Sequence, residues 1–175
     1  MLTYQTDPQV FQRLREDWLQ KLGEDTWDHF DLELIPVLKK FNQIPGLVTF
    51  MSCAGHPERE RESASGKVLY ITFGFQSEGI AALLQIYEVL QERYVQRFPK
   101  HDWRGPRNLK LTFSVRAHAP RPNQPPAWWK SVSIGLDIPM GADGECVKEF
   151  FLPQMLQVLD AYLDLQKPSD QETPQ

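Results

Sequence analysis

Only two cysteines, Cys53 and Cys146, occur in the 175 residues, which excludes a disulfide-dense scaffold. No apolar run reaches the roughly 18 residues that a membrane helix needs, so no membrane partner is expected. The first ten residues, MLTYQTDPQV, lack a basic region followed by an apolar stretch. No signal peptide is read there, and a cytoplasmic location is expected. The chain also lacks an excess of positive charge: 19 Lys plus Arg stand against 23 Asp plus Glu, a net of −4. That balance argues against a general nucleic-acid coat protein. P-loop, GxGxxG, HExxH and GxSxG patterns are all missing, which removes the common phosphate-loop, dinucleotide, zinc-peptidase and serine-hydrolase readings.

What is present suits one packed domain. Hydrophobic residues make up 41% and charged residues 24%, ordinary values for a globular chain. Asp7-Pro8 is a cap and first-turn pair, and Val10, Phe11, Leu14, Trp18 and Leu22 then recur at helical spacing to Gly23. A second helical stretch lies between about Thr26 and Asn42, with Pro36 marking a kink or a late start. Short strands are expected at Leu47 to Cys53 and Val68 to Phe75, then a helix capped by Ser77. A further pair follows, with Leu109, Leu111, Phe113 and Val115 alternating in one strand and Val132, Ile134, Leu136 and Ile138 in the next. The last helix carries Val147, Phe151, Met155, Val158, Tyr162 and Leu165, and Pro153 either kinks it or opens its main part.

Shifted by 63 residues, the chain aligns with itself without a gap from Leu47 to Gln76, with 7 identities in 30 positions. About two are expected from ordinary composition. The expected fold is α+β: a duplicated ββα unit forming a four-stranded antiparallel sheet with helices mainly on one face, preceded by two N-terminal helices. One domain spans 1–166, with a helical part at 1–45, a first ββα at 47–98 and a second at 108–166; 167–175 is a tail. The repeat places Val48, Phe50, Leu69, Ile71, Phe73, Leu111, Phe113, Val132, Ile134 and Leu136 toward the helices. The other face then carries Thr49, Met51, Cys53, Tyr70, Thr72, Gly74, Lys110, Thr112, Ser114, Arg116, Trp129, Ser131, Ser133, Gly135 and Asp137. That face is solvated, covered in part by the N-terminal helices, or used as a ligand platform.

Ser52-Cys53-Ala54-Gly55-His56 leaves the first strand. A thiol and an imidazole three residues apart can act as nucleophile and base, as half a metal site, or as a hydrogen-bonded turn. His118, Cys146, His29 and His101 are the other candidate ligands. If the second unit is inverted relative to the first, Cys146 approaches Cys53 and His56 while His118 lies at the opposite edge. A complete zinc set is then not assembled, and no metal site is expected. The segment resembles small bacterial and phage proteins with an SCxGH-type stretch. Through Ser52, Cys53 and Gly55 it is more distantly similar to the wybutosine-synthesising tRNA methyltransferase family. That family has Arg where this chain has His56. The resemblance implies S-adenosylmethionine use and a tRNA substrate.

Charge is unevenly spread. Residues 99–130 hold seven basic side chains and one acid, a net of +6, while residues 131–175 hold two and eight, a net of −6. Trp103, Trp128 and Trp129 interleave with the basic set. Forked guanidinium donors and indole faces suit an anionic, aromatic ligand, a nucleotide or an unpaired nucleic-acid strand. Lys110, Arg116, Arg121, Trp129 and Lys130 are its candidate contacts. The alternative is structural: the basic strip pairs with the acidic last helix and the tryptophans cap the core. Three functions follow. They are a binding protein for an anionic, nucleotide-like or nucleic-acid-derived ligand, a small RNA-modifying or Cys-His-dependent enzyme using Cys53 and His56, and a protein-interaction module.

Overall fold

A computed structural model describes residues 7–23, 31–55, 68–98, 109–118, 127–138 and 142–167. Helix α1 spans Pro8–Gly23 and is followed by a 3-10 turn, Leu32–Leu34, and helix α2, Ile35–Phe41. Strands β1 (Leu47–Cys53) and β2 (Val68–Phe75) lead into α3 (Ser77–Arg97). Strands β3 (Leu109–His118) and β4 (Ala127–Asp137) lead into α4 (Ala142–Leu165). The fold is α+β, with all described strand pairs antiparallel and the order β1-β2-β4-β3.

Local chemistry explains most of the boundaries. The Asp7 carboxylate accepts from the N–H groups of Gln9 (2.9 Å) and Val10 (3.2 Å), which caps α1 ahead of Pro8. Pro36 stands in the first turn of α2, where its missing N–H has no cost, so it starts the helix late rather than bending it. The expected cap of α3 moves by one residue: Gln76 is extended and precedes the helix, and Ser77 is already helical. Pro153 lies well inside α4 and does not open it.

Helices α2, α3 and α4 cover one face of the sheet, with α4 packed against both of the others. Leu69, Ile71, Phe73, Phe75, Val132, Ile134 and Leu136 point into that layer and are fully buried. Phe41 meets Phe73 edge-on at 4.8 Å between ring centres. Helix α1 packs on the opposite face, where Val10, Phe11, Leu14 and Trp18 enclose Val48.

Two face assignments are therefore reversed in β1. Val48 faces α1, and Thr49 faces the three-helix layer, opposite Phe73. Thr49 tolerates the core because Asn42 satisfies it. The Asn42 amide accepts from the Thr49 N–H (3.0 Å) and donates to its hydroxyl (2.6 Å) and to the Leu38 carbonyl (2.8 Å). A bulge between Thr49 and Met51 then resets the phase, so Met51 and Cys53 share the α1 face as expected.

The strand-strand-helix order occurs twice, but the 63-residue shift does not hold throughout. It does hold in the centre, where Ile71 pairs with Ile134. Copied by 63, the pair Thr49↔Phe73 would become Thr112↔Leu136. The register instead joins Leu109 to Leu136 and Thr112 to Ser133. An offset of three is odd, so Thr49 and Thr112 fall on opposite faces. A gap-free duplication is not supported by this register.

Candidate functional site

The face beneath α1 is unevenly covered. α1 packs against β1 and β2, and Arg15 Nη1 donates to the Leu47 carbonyl at 3.4 Å. Across the row Thr72–Ser133–Thr112, burial gives way to half-burial and then exposure. The row Gly74–Ser131–Ser114 runs from buried to half-buried, and the row Tyr70–Gly135–Lys110 ends exposed. The β4–β3 half of this face is thus a low polar floor. Hydroxyls pair across the strands, Thr72 with Ser133 and Ser114 with Ser131, each at 2.8 Å. One bond between two hydroxyls uses one O–H, so each pair keeps a second O–H to donate and spare lone pairs.

Among the described residues, the basic and aromatic candidates are not brought to one place by the register. Lys110 and Arg116 lie six residues apart on β3, about 20 Å at ordinary strand rise. Lys110 is held by Asp137 at 2.7 Å, on the neighbouring strand. The register sets Arg116 opposite Trp129, at the far end of the same ladder. Lys130 alternates with Ser131, opposite Val115, and so belongs to the three-helix side. Arg121 lies outside the described residues. The acidic α4 does not neutralise this strip through Asp160 or Asp164, which pair with Lys40 and Lys167. The Lys167 ammonium, by hydrogen bond and charge, holds the exposed Asp164 carboxyl below its usual range.

A second constellation surrounds the Ser52–Gly55 turn. Cys53 ends β1 opposite Tyr70, and its sulfur accepts the Gly55 N–H at 3.4 Å. Gly55 has φ +72°, and a β-carbon there would stand 2.6 Å from Ile138 Cδ1. Only glycine suits both constraints. The Ala54 N–H donates to Asp31 Oδ2 at 2.6 Å. The buried Lys148 donates to the Gly55 carbonyl at 3.1 Å and pairs with Glu33 Oε1 at 2.7 Å. So the start of α4 does return to the end of β1. Cys146 lies exposed in that first part of α4, and neither it nor Cys53 is in a disulfide. His56 lies outside the described residues. Among the described residues, no group of three or more His, Cys, Asp or Glu side chains is arranged to hold a metal. Nor is any described helix long and apolar enough to cross a membrane.

Sequence reading missed Asp31, Glu33 and Lys148. They are remote from Cys53 in the chain, and nothing in their local spacing marks them as its neighbours. The one available signal was the inverted second unit, which brings the start of the last helix to this corner.

No family model, curated protein or solved structure matches this chain.

Proposed function

We propose that the protein is a cytoplasmic binding protein for an anionic, nucleotide-like or nucleic-acid-derived ligand held on the β4–β3 half of the α1 face. The observation that carries this reading is the pair of hydroxyl couples, Thr72–Ser133 and Ser114–Ser131, beside exposed Thr112 and Lys110. Short side chains leave room for a planar group, and the hydroxyls of half-buried Ser133 and Ser114 and of exposed Thr112 suit phosphate or sugar oxygens. Arg116 and Trp129 share a rung at the end of the β3–β4 ladder, and guanidinium and indole are the residue types suited to a forked phosphate contact and to base stacking. The Lys110–Asp137 pair orients a cation along the opposite end.

Titrating the chain with adenosine monophosphate and a short single-stranded RNA, read by tryptophan fluorescence, tests this. Affinity should fall as salt rises from about 50 to 200 mM. Arg116→Ala should cost about 1.5–3 kcal/mol, the range of a charge-assisted bond. Absence of binding at the lower salt, or binding indifferent to both salt and Arg116, would remove the proposal.

The held sulfur of Cys53 favours a second reading, Cys-His-dependent chemistry with His56, to which the Ser-Cys-x-Gly resemblance adds an RNA substrate. An amide N–H aimed at sulfur stabilises thiolate over thiol. Fast alkylation of Cys53 near neutral pH would sustain that reading, and slow alkylation would end it.

A further inference from the structure

Gly46, Gly55 and Gly79 are demanded by the backbone. The first two have positive φ, and a β-carbon on the third would stand 2.0 Å from the Gly46 carbonyl oxygen. Gly135 is different. It lies inside β4 without positive φ, opposite Tyr70 on β2 and Lys110 on β3. Among the described residues, a β-carbon there would come no nearer than 3.9 Å to any atom beyond its chain neighbours, which is ordinary contact. A glycine inside a strand weakens it, and it marks a bulge, a tight bend or the close approach of something else. Both ladders run through Gly135 without a register shift, which excludes the first two. The described packing gives no reason for glycine at this position.

The missing side chain leaves a slot on the α1 face of the sheet. Tyr70 and Lys110 flank it from strands two spacings apart, about 10 Å. A flat ring needs about 3.5–4 Å to its neighbour on each side. One ring therefore fits edge-on in the slot, and two do not. Lys110 is committed to Asp137, two residues along β4 from Gly135 on the same face. That ion pair bounds the slot as a wall, on the β3 side and at the Asp137 end, rather than offering a free cation. Toward half-buried Ser133 and exposed Thr112 the slot opens onto the hydroxyl floor.

We propose that Gly135 is the seat of the ligand's base. A nucleobase enters edge-on over Gly135 and stacks on the Tyr70 ring, and its sugar and phosphate run over Ser133 and Thr112 toward Ser114. This rests on the nucleotide reading above and adds the direction in which the ligand lies. Stacking on an aromatic ring tolerates any base, so the slot accepts purine and pyrimidine nucleotides alike and rejects nothing but the lack of a flat ring.

Calorimetric titration of the full chain with adenosine monophosphate, and with ribose 5-phosphate as the same ligand lacking its base, tests this at about 50 mM salt. The nucleotide should bind at least about tenfold more tightly than the sugar phosphate. Gly135→Val fills the slot, and its affinity for the nucleotide should fall to that for the sugar phosphate. Gly135→Ala adds only the β-carbon for which there is room, so its thermal midpoint should equal or exceed that of the unaltered chain. A lower midpoint for Gly135→Ala would overturn the proposal, because the chain's own packing would then require glycine. Equal binding of the two compounds would also overturn it. Nucleotide binding by Gly135→Val that matches the unaltered chain and still weakens with salt removes the base seat and leaves the anionic-ligand reading standing. Failure of both compounds to bind removes the two together.

Discussion

Lys148 shows how one buried charge organises a turn. Its ammonium bonds to the Gly55 carbonyl and pairs with Glu33, while most of its side chain is removed from water. A buried ammonium without partners would be costly, so the two contacts and the burial stand or fall together. Lys148→Ala leaves the Gly55 carbonyl without that donor and Glu33 without its ion pair. A loss of about 1–3 kcal/mol is expected, read as a lower urea midpoint with unchanged slope. Tyr94 makes a second residue-scale case. Burial, with Asp137 adding to it, pushes its phenol well above the usual range. Burial also raises Tyr87. Below about pH 10 the phenol is neutral in both folded and unfolded chains. Above it, the unfolded chain ionises while the folded one resists, so stability falls as pH rises toward the folded value. Denaturation midpoints at pH 8 and pH 11 should show that fall, and Tyr94→Phe should reduce it. These residues also show what was legible. The Asp7 cap is local and was read from the sequence; at Pro36 a kink or a late start was expected, and the late start is what forms. The Thr49 face was misread, because a polar side chain reads as outward unless its distant partner, here Asn42, is known.

At the scale of elements, strand and helix positions followed from periodicity because each long element has one strongly apolar side. The strand phase in β1 did not, because a single bulged residue between Thr49 and Met51 inverts alternation halfway along. The apparent 63-residue repeat was informative about element order and misleading about hairpin register, by three residues. The junction of β1 and α3 rests on another local feature. Gly79 lies against the Gly46–Leu47 backbone, and a β-carbon there would stand 2.0 Å from the Gly46 carbonyl oxygen. Backbone cannot yield as a side-chain tip can. Gly79→Ala should therefore cost about 3 kcal/mol or more, seen as a lower thermal midpoint, with α3 the first helix to lose hydrogen-exchange protection.

At the scale of the molecule, the net charge of −4 conceals a +6 segment, whose described residues do not gather into one patch. Lys110 is paired with Asp137, Lys130 belongs to the three-helix side, and the register sets Arg116 beside Trp129. The hydroxyl floor between Lys110 and Arg116 was present in the sequence only as a run of short residues. Pairing across strands made it a donor array. Its use by an anionic ligand is the central claim. Two-dimensional NMR of the labelled chain, titrated with adenosine monophosphate at about 50 mM salt, tests it most directly. The largest amide shifts are expected at Lys110, Thr112, Ser114, Ser133 and Gly135, fading as salt rises. Shifts centred instead on Cys53 to Gly55, or none at saturating nucleotide, would contradict it.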